Sequence, residues 1–350
     1  MTVAAVLRHL AFATALAMVS AMVVVAMISA GVMDRPNARK AHSRPTPKGG
    51  GVGVVVAFML GISVLYGFAE FARLADPYFR GVILASAAIA VVSFLDDLRD
   101  WPFGVKLAAQ ILAGLTAVGS GLYVASLNMP YSGPTPLGWL GPAATLAWIL
   151  FATNAMNFID GLDGLAAGTA LVASCFLAGI AASEGGWFVY FAALLLAAGL
   201  IGFLPFNYPR ARIFLGDVGS QFCGFVLAVL GVAAARFERV EMSFLLVPML
   251  LSGVLYDVAF TVVRRALAGQ RVTEAHRGHL YQVAQRAGLD ARVVAAVHWG
   301  FAALGGLCAL AFVAAPPLLR PIAPSLVLLP QLVWTAYVVR LARRARIGAW

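Results

Sequence analysis

Charge is scarce in this chain. Only 11% of its 350 residues are Asp, Glu, Lys or Arg, while 62% are hydrophobic. An ordinary soluble domain has roughly a quarter of its residues charged, so that class is excluded. Cysteine is scarcer still. Cys175, Cys223 and Cys308 lie far apart inside apolar runs, with no C-x-x-C spacing and no histidine partner. That excludes a disulfide framework and a thiolate metal site, and leaves packing thiols. Low-complexity tracts, short repeats and long polar segments are lacking too. No Gly-Lys-Ser/Thr follows the glycines near residue 50, so there is no P-loop. The 12-residue calcium loop with its terminal glutamate is also missing.

What the chain has in abundance is long apolar runs. They predict about eleven membrane spans, near 6–33, 51–69, 79–95, 105–126, 141–158, 164–183, 187–205, 219–235, 242–263, 293–315 and 322–339. The first is longer than a signal-peptide core and reads as a retained span. The expectation is an all-α, polytopic integral membrane protein, one transmembrane domain over residues 1–350. The links between spans alternate in charge. Those at 34–50, 96–106, 159–163, 206–217 and 264–291, with the tail from 340, hold 18 of the 25 lysines and arginines. The positive-inside rule puts this set in the cytoplasm, with the N-terminus outside and the C-terminus inside. The net charge of +10 then suits anionic lipid headgroups, and no nucleic-acid partner is needed. Every dense polar group falls on that same side. The opposite link 131–142, YSGPTPLGWLGP, reads as a turn-rich connector.

Carboxylates stand out against this background, since one at the centre of a membrane helix costs roughly 2.5–3.5 kcal/mol. In NAMNFIDGLDGLAAG (154–168), Asp160 and Asp163 are three apart and share a face on a helical turn. Gly161 and Gly164 would let a ligand approach the backbone, and the next helix would offer N–H groups to an anion. Such a pair suits a Mg²⁺-bound phosphate, or it simply caps two spans. Asp96 and Asp97 end the third span in SFLDDLRD and point about 100° apart, so they cannot be equivalent ligands of one ion. Asp217, in RIFLGDVGS, opens the eighth span as either a ligand or a cap. RKAHSRPTPKGGG offers Arg39, Lys40, His42, Arg44 and Lys48 as phosphate partners, and its glycines suit close helix packing. His276 and His279 in HRGHLYQ fit phosphate binding or proton transfer better than a metal site. Asp257 lies seven residues before Arg264, and pairing with an arginine is its expected role. His9 and His298 read as structural.

The order of these motifs is more specific than any one of them. RKAHSRPTPKGGG, FLDDLRD with WPFGVKLAAQ, NAMNFIDGLDGLAAG, FNYPRARIFLGDVGSQF and HRGHLYQ together resemble the polyprenyl-phosphate N-acetylhexosamine-1-phosphate transferases over residues 34–282. The resemblance implies a Mg²⁺-dependent phosphoglycosyltransferase, with Mn²⁺ as a substitute, in the bacterial cytoplasmic membrane. Its substrates would be undecaprenyl phosphate and a UDP-N-acetylamino sugar, with UMP released. Asp217 matches the metal ligand, and Asp96 and Asp97 the catalytic pair that could share the ion, one of them being the implied base on the lipid phosphate. Asp160 and Asp163 match carboxylates near the metal. Asn157 and Phe214 fall where relatives hold uridine. Lys48, Lys106, His276 and His279 are phosphate candidates, and Asn207 and Arg212 complete the expected substrate-binding set.

Asp100 and HRGHLYQ depart from the peptidoglycan branch and look more like the branch that starts O-antigen or exopolysaccharide chains. The implied donor is UDP-GlcNAc or a 6-deoxy sugar such as FucNAc or QuiNAc. Relatives dimerise, so a homodimer is an implied partner state. Three rivals remain at this level: the peptidoglycan transferase, a lipid transporter or flippase, and an inactive membrane scaffold. Carboxylates at span ends on one side argue against a transporter, whose polar groups belong near mid-membrane.

Overall fold

Apolar runs become helices here, and they stop where glycine, proline or a capping side chain lets the chain turn. The computed structural model describes residues 2–34, 45–68, 77–129, 133–235, 242–271, 274 and 276–348. Helix α1 (Val3–Ala30) is capped by the Thr2 hydroxyl and ends at left-handed Gly31. Helices α2 (Gly51–Phe68), α3 (Pro77–Arg99) and α4 (Phe103–Gly119) follow; α3 opens on a proline and α4 directly after one. Next come α5 (Leu140–Ile159), α6 (Leu165–Glu184), α7 (Trp187–Asn207) and α8 (Gly216–Ala234). The C-terminal third holds α9 (Leu246–Leu250), α10 (Ser252–Leu267), α11 (Leu280–Arg286), α12 (Ala291–Ala314), α13 (Ile322–Leu326) and α14 (Leu328–Arg344).

Among the described residues, eight helical stretches are long and apolar enough to cross a membrane, the last being α13 with α14. The α2 and α4 helices are apolar but shorter. With the α9–α10 pair, these fall on the eleven expected runs, so the protein is mostly helical and polytopic. Two local expectations need correction. The ninth run is not one helix, because the chain breaks at Leu251 between α9 and α10. The link after the fourth run is not a plain connector. An earlier strand pair, β1 (Met33–Asp34) with β2 (Thr46–Pro47), lies between α1 and α2, and this link forms a second, β3 (Ser126–Met129) against β4 (Gly133–Pro136). Gly121, at φ 97°, ends the helical path before that hairpin begins.

Helix α8 is the centre of the bundle, buried from Val218 to Ala234 and packed against α2, α3, α5, α6, α7 and α9. Lipid tails are as apolar as leucine, so helix association in a bilayer depends on close packing and hydrogen bonds. Small residues supply the closeness. A Cβ at Gly51 would collide with the backbone of Gly219, and one at Gly224 would lie 2.8 Å from Thr153 Cα. The expected packing role of the residue 49–53 glycines therefore holds for Gly51, and likewise for Gly53 against Ser20. Backbone bonds from Gly50 N to Phe214 O (2.9 Å) and Gly51 N to Leu215 O (2.8 Å) bring the start of α2 beside the start of α8. The ends of α3, α5 and α7 and the starts of α4 and α6 meet at this same end of the bundle.

Candidate active site

The last turn of α3 supplies the first carboxylates. Adjacent helical side chains diverge, and the two aspartates accordingly do different things. Asp97 reaches across to the start of α8 and accepts from Asp217 N (3.2 Å) and Val218 N (3.0 Å). It is thus the N-terminal cap of a neighbouring helix, satisfying donors that α8 cannot pair itself. Asp96 turns the other way, accepting from Trp101 N at 2.7 Å and pairing with Lys106 Nζ at 2.5 Å. Lys106, in the first turn of α4, also donates to Asp217 at 2.7 Å. One ammonium is therefore shared by Asp96 and Asp217. Lys48 lies 3.8 Å from Asp97 and 3.4 Å from Asp100.

Asp217 itself is not the cap of α8. Its second oxygen accepts from Asn157 Nδ2 at 3.0 Å, and Asn157 also donates to the Ser220 hydroxyl at 2.9 Å. Lys106, Asn157 and Asp217 thus form one layer across α4, α5 and α8.

The NAMNFIDGLDG segment ends α5, with Asp160 as its C-terminal cap residue. Asp163 accepts from Ala211 N at 2.9 Å. Asn207 accepts from Gly164 N at 2.7 Å and donates to Ile213 O at 3.0 Å. These bonds lace the 160–164 loop to the 207–213 loop. Gly164, the residue that leads into α6, is therefore held by a side chain, and the first turn of α6 is buried. The two loop glycines make room for tyrosines. A Cβ at Gly161 would strike the Tyr281 hydroxyl, and one at Gly164 would lie 2.6 Å from the Tyr208 ring. Tyrosines of the protein occupy the side-chain space of both glycines, and the Gly161 backbone still lines the cavity described below. Among the described residues, the Asp160 carboxylate alone of this group has no hydrogen bond or ion pair, although its N–H donates to Asn157 O at 3.2 Å. Burial, and then the negative charges of Asp217, Asp97 and Asp163, push its carboxyl well above the usual range.

The HRGHLYQ segment packs against this platform. Asp257 does not pair with Arg264 or Arg265, as its sequence position suggested. Its carboxylate bonds His279 Nδ1 (3.1 Å), Leu280 N (2.9 Å) and Tyr281 N (3.0 Å), so it caps α11 and fixes the His279 ring. The arginines bind carbonyls instead, Arg264 to Gly278 O and Arg265 to Arg271 O. Tyr281 then donates to Phe158 O at 3.0 Å, docking α11 on the end of α5. His276 stacks on His279 with ring centroids 5.0 Å apart. Burial, the His279 ring and Arg265 and Arg264 lower the His276 imidazole to about 4.

These loops enclose a cavity of about 430 Å³. Asp96, Asp97, Asp160, Asp163, Asp217, Lys48, Lys106, Asn157, Asn207 and Phe214 all line it, as the sequence grouped them. His276, His279 and Arg212 are not among its lining residues. Arg212 lies over the Phe206 ring at 5.3 Å instead. Arg39, Lys40, His42 and Arg44 fall outside the described residues. The cavity wall carries seven aspartates against Lys48, Lys106 and Arg277, an excess of negative charge. Among the described residues, no three His, Cys, Asp or Glu side chains form a ready-made metal cage. Mg²⁺ seldom needs one, because it usually takes one or two carboxylates and completes its shell with substrate phosphates and water. The hard oxygen donors of Asp217 and its neighbours fit that pattern.

Comparison with known proteins bears directly on this arrangement. The model of "Glycosyl transferase family 4" matches residues 79–235, the span from α3 to α8 that carries six of the cavity's seven aspartates. Decaprenyl-phosphate N-acetylglucosaminephosphotransferase of Mycobacterium tuberculosis (strain ATCC 25618 / H37Rv) is 32% identical over 277 residues, 72% of this chain and 68% of that protein. The chain belongs to this family, the polyprenyl-phosphate N-acetylhexosamine-1-phosphate transferases. A probable undecaprenyl-phosphate N-acetylglucosaminyl 1-phosphate transferase of Bacillus subtilis (strain 168) is 29% identical over 270 residues, 76% of this chain and 73% of that protein. A phospho-N-acetylmuramoyl-pentapeptide-transferase of Lactobacillus johnsonii is 33% identical, but over only 44% of this chain and 52% of that protein.

Sequence reasoning missed several cavity residues of this family member. Arg277, Gln282 and Gln285 line the wall in the stretch where the two histidines drew attention. The signal was present, because Gln282 and Gln285 are three apart on a helix and share one face. Asp34 lines the cavity as well, brought there by the β1–β2 pairing.

Proposed function

We propose that the protein transfers an N-acetylamino-sugar 1-phosphate from a UDP-sugar to undecaprenyl phosphate. An oxygen of the lipid phosphate attacks the β-phosphorus of the donor. A new P–O bond forms, the bond from that phosphorus to the bridging oxygen breaks, and UMP leaves with the electron pair. The sugar stays on the lipid through a diphosphate. The family and the names of its relatives support the reaction class. The observation that carries the reading is the Lys106 ammonium held between Asp96 and Asp217 on the wall of a cavity rich in carboxylates.

Each group has a task in this reading. Lys106 and Lys48 are positioned to move from carboxylates onto phosphate oxygens, as compact cations suited to that role. Asp217, with Asp96 or Asp97, would hold Mg²⁺, or Mn²⁺ in its place, and the ion would offset charge on the diphosphate. Asp160, whose carboxylate has no bonding partner among the described residues and a raised pKa, is the carboxylate best suited to accept a proton. Phe214, clamped by backbone bonds to Pro47 and Gly50, offers a ring for the uracil. The donor we infer is UDP-GlcNAc or a 6-deoxy relative such as UDP-FucNAc or UDP-QuiNAc, for O-antigen or exopolysaccharide initiation. The GlcNAc-specific names belong to relatives aligned over more than 70% of this chain, against 44% for the muramoyl-pentapeptide one. The basic links surround the cavity, so the positive-inside rule supports a cytoplasmic active face in the bacterial inner membrane.

The test is a mass spectrum of the lipid product after incubation with undecaprenyl phosphate, Mg²⁺ and each UDP-sugar in turn. A lipid diphosphate bearing one N-acetylamino sugar is expected. A muramoyl-pentapeptide product would overturn the donor, and no product with any donor would overturn the reaction.

A further inference from the structure

One helical turn deeper in the bundle from the Lys106–Asn157–Asp217 layer lies a second polar layer, outside the residues that line the cavity. Gln110 is four residues after Lys106 on α4, Asn154 three before Asn157 on α5, and Gln221 four after Asp217 on α8. Each amide therefore stands on the same helix face as one site residue. Gln110 and Asn154 exchange two bonds, Asn154 Nδ2 to Gln110 Oε1 at 2.6 Å and Gln110 Nε2 to Asn154 Oδ1 at 3.3 Å. Gln110 Nε2 also donates to Gln221 Oε1 at 3.0 Å. Gln110 and Gln221 are each only 2% exposed.

The three helices do not need this layer equally. Helices α5 and α8 already interlock, with Gly224 set against Thr153 and Met156. Helix α4 packs mainly on α3 and α5, yet its Lys106 must reach Asp217 on α8. Gln110 spans that same gap one turn deeper. In hydrocarbon its amide has no water to turn to, so sliding or rotating α4 would leave polar groups unpaired. The bond thus resists the motions that would draw Lys106 away from Asp96 and Asp217.

We propose that Gln110 is a positioning residue for Lys106, fixing the rotation and height of α4 through its bonds to Asn154 and Gln221. The proposal extends the transferase reading but rests on geometry that can be tested without turnover. The chain has three lysines, Lys40, Lys48 and Lys106. Acylation of each by an amine-reactive ester, followed by mass spectrometry, reports how firmly each ammonium is held. In Gln110→Leu, Lys106 should be acylated about tenfold faster relative to Lys48, with the thermal transition retained. Gln221→Leu removes the same bridge from the α8 side, so it should do likewise and serves if Gln110→Leu fails to fold.

The kinetic arm is a double-mutant cycle on the product assay. Gln110→Leu should lower kcat about tenfold or more while the donor KM stays within about twofold, and it should cost nothing further in a Lys106→Ala background. Unchanged Lys106 acylation in both folded leucine variants would overturn the proposal. So would losses that multiply in the Lys106→Ala background, which mark a general structural role. Wild-type protein without activity on any donor would sink the transferase reading, while the acylation arm would still decide the role of Gln110.

Discussion

The site contains two aspartate pairs, Asp96–Asp97 at the end of α3 and Asp160–Asp163 in the loop after α5, and each divides its labour differently. In both, one member is part of the scaffold. Asp97 caps the start of α8, and Asp163 holds the backbone of Ala211. The other member faces the reaction space. Asp96 is tied to Lys106 there, whereas the Asp160 carboxylate has no hydrogen-bond or ion-pair partner among the described residues. Counting carboxylates near a cavity therefore overstates how many do chemistry. Which one does follows from the bonds its neighbour has already made.

That comparison is sharpest at Asp160. Asp160→Asn should lower turnover by about 10²–10⁴, the range for losing a general acid or base. It should not destabilise the protein. The folded state raises the Asp160 pKa, so Asp160 favours folding fully below its ordinary value near 3.8 and loses that contribution as pH rises through the raised value. Thermal scans should accordingly show Asp160→Asn at least as stable as wild type near pH 8, with the difference vanishing toward pH 4. An asparagine variant that unfolds earlier at pH 8 while retaining turnover would reverse the roles assigned within the pair.

Asp97→Ala should show the opposite balance. It leaves two N–H groups at the start of a buried helix without acceptors, which costs about 1–3 kcal/mol each before relaxation. A clear drop in thermal stability is expected, with loss of activity following from the displaced Asp217. Asp163→Ala removes the bond to the Ala211 N–H and should cost at least about 1 kcal/mol. The smallest effect expected is that of Phe214→Leu, a rise in donor KM of about two- to tenfold from lost stacking, with kcat preserved. A larger kcat effect there would mean that the ring orders the catalytic loops.

The helical frame was legible because hydrophobic runs long enough to span a bilayer are a physical requirement that sequence displays directly. The gathering of Asp96, Asp97, Asp160, Asp163 and Asp217 was legible through the order of motifs. Pairwise roles were not, because they depend on contacts across more than a hundred residues. Asp97 capping α8, and Tyr281 filling the space over Gly161, leave no local trace in the sequence. The β3–β4 hairpin was hidden by its glycine and prolines, which read as turn residues. Histidines drew the eye in HRGHLYQ, while the cavity received the neighbouring Arg277 and the glutamines of α11.

The most direct test of the central claim is exchange of labelled UMP into UDP-sugars by membranes containing the protein, undecaprenyl phosphate and Mg²⁺, with Asp217→Asn beside wild type. The account predicts exchange into one N-acetylamino-sugar donor that requires the lipid and the metal, and that falls by about a thousandfold in the variant. Exchange that persists in folded Asp217→Asn, or none with any donor in folded wild type, would contradict it.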